Sequence, residues 1–254
     1  MRIANQYKQN TKEWYEWRKG GLGASDAPII MSVSPFQSRF ELWAVKIGLM
    51  ERPEFHPRAI EAMTRGKLLE DEARECYEKK VGVRFEKDVN VIHPTHDFIR
   101  ASLDGYNAQY NRIVEVKCPG ATDLKEAAMG RVPKKYLPQV QLQLLVTGAV
   151  ACDYFTYDGK DGKAIEVLPD PVYQQSLEKE MIAFWRLVQE QKPPYIEQSD
   201  LDKLGKTLDK YCEKYFTTYD LKRRVDEMFQ QQNKKGDNND QLGETRKGRS
   251  HKRS

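Results

Sequence analysis

Apolar positions along this chain recur at two different periods, and the alternation between them sketches the elements. Behind Ser38-Arg39-Phe40-Glu41, where a Ser and a Glu three residues apart form a capping box, Leu42, Val45 and Leu49 make a helical stripe. From about Thr64 to Lys80, Leu69, Ala73, Cys76 and Tyr77 repeat at helical spacing, with Gly82 as the stop. A helix after Pro138 carries Val140, Leu144 and Val146, and another behind Asp170-Pro171 carries Leu177, Met181, Phe184 and Val188 before Pro193-Pro194 ends it. Leu204, Leu208, Tyr211 and Tyr215 give the stretch 199–229 a helical face suited to packing. Between these, residues 83–93, 98–102, 113–118, 150–157 and 164–168 read as strands, with turns at Pro94-Thr95-His96-Asp97 and around Asp158-Gly159. Gly20-Gly21-Leu22-Gly23-Ala24-Ser25-Asp26 reads as a flexible entry, and Pro53 to Pro57 as a loop. Strands interleaved with helices predict a mixed α/β body.

Composition narrows the class. At 254 residues with 39% hydrophobic content the chain can bury a substantial core. No apolar run approaches a membrane span, and the first six residues lack the apolar segment of a secretory signal. Cys76, Cys118, Cys152 and Cys212 are scattered without C-x-x-C spacing, as free thiols in a reducing cytosol would be. Net charge is +4, and residues 231–254 hold all of the excess, with seven Lys/Arg against three acids. That segment has Leu242 as its one apolar residue and cannot form a core. The chain therefore reads as a single domain over 1–229, ending in a helical region, and a disordered basic tail over 230–254. The tail could touch a nucleic-acid backbone without sequence preference, or serve only solubility.

Candidate chemistry concentrates in Ser102-Leu103-Asp104-Gly105 and Ile113-Val114-Glu115-Val116-Lys117-Cys118-Pro119. Side chains alternate across a strand, so Glu115 and Lys117 share one face while Val114, Val116 and Cys118 take the other. The polar, turn-rich segment Tyr106 to Arg112 lets Asp104 sit beside Glu115 across a hairpin. Two carboxylates, the Val116 carbonyl and substrate phosphate oxygens suit Mg²⁺, and a neighbouring ammonium, Lys117, can orient a nucleophile or pass a proton. The same three side chains could instead form a solvated strand face. The flanking apolar residues argue for a buried strand, whose Glu and Lys need partners.

Three further constellations accompany the hairpin. Gly66-Lys67-Leu68-Leu69-Glu70 puts Glu70 one residue from a buried stripe, where it could serve a second metal position or face water like its neighbours Asp71, Glu72, Glu75 and Glu78. Gln139 and Gln143, four apart after Pro138, share a face that could hold a water or phosphate oxygen, or form a polar outer surface. Arg18, Ser25 and the glycines between them make a possible phosphate cradle.

In joint order, Trp14-x-x-x-Arg18-x-Gly20 with Ala24-Ser25-Asp26, Gly66-Lys67-x-x-Glu70, Ser102-x-Asp104-Gly105, Glu115-x-Lys117-Cys118-Pro119 and Gln139-Val140-Gln141 resemble the phage lambda exonuclease family, the YqaJ-type viral recombinases of the PD-(D/E)xK nuclease superfamily. The resemblance runs from about Trp14 to Thr147 and departs in Leu103, where the motif name has Pro, and in the basic tail. It implies an α/β fold with a mixed central sheet flanked by helices, a restriction-endonuclease-like core. It implies metal ligation by Asp104, Glu115 and the Val116 carbonyl, with Glu70 at a second ion, nucleophile activation by Lys117, and Gln139 in the site. It implies 5′-phosphate binding by Arg18, Ser25 and Ser102. The activity implied is 5′-to-3′ digestion of double-stranded DNA with two Mg²⁺ ions, Mn²⁺ being able to substitute, releasing mononucleotides and leaving 3′ single strands for recombination. The implied setting is the cytoplasm of a bacterium or phage-infected host, as a homotrimer at DNA ends with a single-strand annealing protein as partner and no membrane. A structure-specific or restriction-type endonuclease, or a non-hydrolytic DNA-binding recombination module, are the alternatives.

Overall fold

The computed structural model describes residues 1–4, 7–50, 57–195 and 200, with the side chains of 58 and 59 left out. The chain divides into Met1–Lys192, which holds every named strand and helix, and Pro193–Ser254. Asp200 apart, the helical stretch expected over 199–229 and the tail over 230–254 lie outside the described residues.

One four-stranded sheet has the order β1 (Arg2–Ile3), β3 (Val89–Ile92), β4 (Ile99–Leu103), β2 (Leu22–Gly23). The other runs β5 (Gly105–Asn107), β6 (Arg112–Lys117), β7 (Ala151–Tyr157), β8 (Gly162–Val167). Both are mixed, β2 lying parallel to β4 and β6 parallel to β7. Every residue of β7 is buried, as a strand covered on both faces must be. On one side α4 (Pro57–Val81) packs against β6, β7 and β8, and on the other α6 (Leu137–Thr147) packs against β7, β4 and β3. Ala73 and Tyr77 of α4 join Phe85, Val114, Val116, Phe155 and Tyr157 in one apolar cluster, with Cys118 against it. Each large side chain so buried contributes about 1.5–3 kcal/mol. No helix among the described residues is long and apolar enough to cross a membrane.

Local chemistry accounts for the boundaries. In α3 (Arg39–Lys46) the Glu41 amide donates to Ser38 Oγ at 3.1 Å and the Ser38 amide donates to Glu41 Oε2 at 2.8 Å, completing the expected capping box. The helix stops at Lys46, before Leu49, and Gly48 follows with φ of +76°. In α7 (Pro171–Gln189), Leu177, Met181, Phe184 and Val188 are all buried as their spacing requires, and Asp170 caps the first turn. α4 begins at Pro57, ahead of the expected Thr64, because proline is preorganised for a first helical position.

The strand expected over 83–93 shortens to Val89–Ile92 plus a single bridge between Glu86 and Tyr106; Asp88 takes φ of +58°, which no strand accommodates. Within the glycine-rich segment, Leu22–Gly23 is a buried strand of the first sheet and no flexible entry: the Leu22 amide donates to the Phe98 carbonyl at 2.6 Å, and Gly21 has no Cβ to strike that carbonyl. α1 (Lys12–Lys19), capped by Thr11, and α5 (Ala121–Ala128) form where no periodic stripe announces them. The chain leaves the first sheet after Leu103 and enters the second at Gly105, so Asp104 alone lies between the sheets.

Candidate active site

Register puts the first two acids together. β5 and β6 are antiparallel with Gly105 opposite Val114, so the next step of the ladder brings Asp104 opposite Glu115. The approach needs glycine, because a Cβ on Gly105 would lie 2.6 Å from Val114 Cγ1 and 2.9 Å from Phe85 Cβ. Asp104 Oδ2 accepts a hydrogen bond from the Val116 amide at 2.9 Å, which fixes the carboxyl beside the residue whose carbonyl is the candidate ligand.

Glu115 is 1% exposed, and both its oxygens are engaged. Oε1 accepts from Lys117 Nζ and from Gln139 Nε2 at 2.5 Å; Oε2 accepts from Gln143 Nε2 at 2.6 Å. Hydrogen bonds to an ionised group contribute about 1.5–3 kcal/mol each. Both glutamines project from α6 toward the sheet, so the polar-outer-face reading of this pair does not hold. Gln143 Oε1 and the hydroxyl of Tyr154, which sits opposite Glu115 on β7, are buried with no hydrogen-bond partner among the described residues. Lys117 Nζ lies 5.5 Å from the centre of the Tyr136 ring.

The electrostatics are those of a site short of positive charge. Burial, with the neighbouring Glu115 and Glu70 carboxylates, holds the half-buried Asp104 carboxyl well above the usual range. Burial and Glu115 also raise Glu70, which reaches the group from α4. Burial alone would lower the Lys117 ammonium, but Glu115 and Asp104 outweigh it and raise it. Three carboxyl groups against one ammonium leave a formal deficit of two charges when all are ionised, and the donors are hard oxygens. That set fits a hard divalent cation, for which Asp104, Glu115, Glu70 and the Val116 carbonyl are the candidate ligands. The three carboxylates do not bring one oxygen each within 4.8 Å of one another; Glu115 faces Lys117 and the glutamines instead.

Arg18, Ser25 and Ser102 form a second group. The Arg18 guanidinium lies 4.6 Å over the Trp14 ring and donates to Ser25 Oγ. Trp14 Nε1 donates to Ser102 Oγ at 2.9 Å, and that hydroxyl donates to Asn90 Oδ1 at 2.7 Å. From Gly21 to Ile30, Ser25 is the one exposed residue in a buried run, so its hydroxyl faces outward on a fixed turn. The turn is locked from behind by Asp26, whose Oδ2 accepts from the Gly23 amide at 2.9 Å and lies 3.0 Å from Lys46 Nζ. Burial alone would raise the Asp26 carboxyl, but Lys46 and Arg18 outweigh it and hold it below its usual range. Ser102 and Asp104 are two residues apart, at most about 7 Å along the backbone, so the two groups adjoin.

Sequence reasoning passed over Gln143 as a partner of Glu115, Tyr154 and Tyr136 beside Lys117, and the Asp26–Lys46 pair. For the glutamines a signal existed: Val140, Leu142, Leu144 and Val146 leave α6 no polar side, so a glutamine on it must find a buried partner.

Residues 13–150 match the YqaJ-like viral recombinase domain. The chain is 33% identical over 147 residues to the uncharacterized protein YqaJ of Bacillus subtilis (strain 168), a match covering 58% of this chain and 45% of that protein, so the chain spans under half of its length. Among solved structures, the alkaline exonuclease LHK-Exo of Laribacter hongkongensis superposes with a TM-score of 0.62 at 27% identity, covering 72% of this chain and 94% of that one. LHK-Exo in complex with dAMP gives a TM-score of 0.63 with the same identity and coverage. The fold is thus a PD-(D/E)xK-like mixed α/β architecture shared with an exonuclease.

Proposed function

Since the chain belongs to the YqaJ-like viral recombinase domain family, we propose that it is a divalent-metal-dependent exodeoxyribonuclease that digests double-stranded DNA from a 5′ end. The observation that carries this reading is the cluster of Asp104, Glu115 and Glu70 around one ammonium, Lys117, adjoining the pair formed by Arg18 at the end of α1 and Ser25 on the turn after β2. When bound, a divalent ion of the Mg²⁺ type would supply Lewis-acid neutralisation of phosphate charge, and the proposal takes two such ions. Lys117 holds a proton at Nζ beside the scissile phosphodiester and offsets charge developing there. Gln139 and Gln143 hold the two oxygens of Glu115 in place. Arg18 and Ser25 donate to a terminal 5′ phosphate, while Ser102, engaged by Trp14 and Asn90, fixes the floor of that pocket.

Family membership extends the reading to release of mononucleotides, a homotrimer at DNA ends and delivery of the 3′ strand to an annealing protein. The test is digestion of linear duplex bearing a 5′ phosphate against covalently closed circular duplex, with and without Mg²⁺. Linear duplex alone should yield acid-soluble nucleotide, in Mg²⁺ alone, and Lys117→Ala should abolish that release while leaving end binding intact. Cutting of the closed circle would establish an endonuclease instead, and no release from either substrate would leave a DNA-binding module.

A further inference from the structure

Buried polar atoms that bond to nothing are rare in folded chains, because each loses its hydration without replacement. Among the described residues three side-chain atoms are in this state, and two of them belong to the neighbours of Glu115: Gln143 Oε1 and the Tyr154 hydroxyl. The hydroxyl is the more informative of the two. Tyr154 is wholly buried in β7, where a phenylalanine would fill the same space and carry no polar atom to satisfy.

Register puts this side chain on the face that carries the chemistry. β6 and β7 are parallel, with Tyr154 opposite Glu115 and Thr156 opposite Lys117. Tyr154, Glu115 and Lys117 therefore share the face covered by α6, while Phe155 joins Val114 and Val116 on the other. Tyr154 is the diagonal neighbour of Lys117, a spacing that aromatic and long side chains span. Both adjoin Tyr136, whose ring centre lies 6.0 Å from that of Tyr154 and 5.5 Å from Lys117 Nζ. Burial holds the Tyr154 phenol well above its usual range although Lys117 draws it down, so it stays a neutral hydroxyl near an ammonium.

The acceptor capacity of Glu115 gives that hydroxyl a use. A carboxylate offers about four lone-pair sites, two on each oxygen. Lys117 and Gln139 take both on Oε1, and Gln143 takes one on Oε2. For Oε1 to ligate a divalent cation a donor must leave it, and of the two donors only the ammonium is repelled by the incoming charge. Lys117 is partly buried and then needs another acceptor. Asp104, the other carboxyl that bears on it, is itself a candidate ligand. Resting on the metal-dependent reading of this site, we propose that Tyr154 is a positioning residue for Lys117: its hydroxyl oxygen takes over the ammonium from Glu115 Oε1 when a divalent cation binds, and holds it in place. Gln143 Oε1 is the rival acceptor, but the amide that carries it is tied to Glu115 Oε2, whereas Tyr154 shares a ring neighbour with Lys117.

The test compares the full native chain with Tyr154→Phe, first in EDTA and then titrated with MgCl₂ in the absence of DNA. In EDTA, Tyr154→Phe should melt at or above the native temperature, since the hydroxyl it removes is unbonded there. Calorimetry should show Tyr154→Phe binding Mg²⁺ roughly ten- to a hundredfold more weakly, the effect of a missing hydrogen bond to a charged group. Mg²⁺ should produce a tyrosine difference band in the near-ultraviolet spectrum of the native chain that is absent from Tyr154→Phe and from Lys117→Ala. On 5′-phosphorylated linear duplex at saturating Mg²⁺, Tyr154→Phe should lower kcat and leave KM unchanged. A lower melting temperature for Tyr154→Phe in EDTA overturns the proposal, as do native Mg²⁺ affinity in that variant and a difference band that survives in either variant. Loss of affinity and band in Gln143→Met but not in Tyr154→Phe overturns it in favour of the amide. Mg²⁺ binding with the band but no nucleotide release from the native chain refutes the nuclease reading and leaves the role of Tyr154 standing, whereas absence of Mg²⁺ binding to the native chain overturns both.

Discussion

Gln143→Met separates what holds the fold from what serves the site. Gln143 Nε2 donates to Glu115 Oε2 at 2.6 Å, and removing a hydrogen bond to an ionised group costs about 1.5–3 kcal/mol. The same substitution removes Gln143 Oε1, a buried acceptor with no partner among the described residues, whose desolvation costs about 1–3 kcal/mol. Methionine nearly conserves the volume, and its flexible thioether fills irregular space. The two effects offset, so urea unfolding in EDTA should shift by no more than about 1 kcal/mol. Activity should not be spared. Glu115 would keep both remaining donors on Oε1 and lose the one on Oε2, and a displacement of about 1 Å at a reacting centre costs on the order of a hundredfold. The assay pairs that unfolding curve with the rate of acid-soluble nucleotide release from 5′-phosphorylated duplex in Mg²⁺. A destabilisation above about 3 kcal/mol, or release at the native rate, would refute the reasoning.

Other consequences are equally measurable. Because the folded Asp104 carboxyl keeps its proton above the unfolded pKa, the folded state binds more protons there than the unfolded one, and metal-free stability should fall as pH rises from the ordinary carboxylate range toward the raised one. Asp104→Asn cannot ionise, so its melting temperature in EDTA should exceed that of the native chain by a margin that widens with pH; a constant margin would contradict this. Gly105→Ala should destabilise by about 1–3 kcal/mol, read from chemical denaturation, since its methyl meets Val114 and Phe85. Arg18→Ala should reduce the preference for phosphorylated over hydroxyl 5′ ends by roughly ten- to a hundredfold in competition digests; equal loss on both ends would assign Arg18 to general backbone contact.

Much of this molecule could be read in advance where the governing physics is local. The Ser38–Glu41 box, the four-residue stripe of α7 and the alternation that sends Val114 and Val116 into the apolar cluster and Glu115 to the opposite face all follow from neighbours in the chain. The pairing of Asp104 with Glu115 was legible for the same reason, since a hairpin is short. What escaped depends on partners remote in sequence. Leu22–Gly23 is a strand because Phe98 supplies its acceptor, and Gln143 finds an acceptor for its buried amide because β6 carries Glu115 28 residues earlier. The His93–Glu178 contact spans two elements that no period connects.

Asp104 stands alone between the sheets. Ser25 and Ser102 are tied to the first sheet, by way of β2 and β4, and Glu115 belongs to the second. On the proposed reading, the length of strand consumed per turnover is therefore set by the Asp104 linkage together with α6, which packs on strands of both sheets. A one-residue insertion after Asp104 would lengthen that gauge, and the enzyme would measure its substrate against a different ruler while its two ends remained chemically intact.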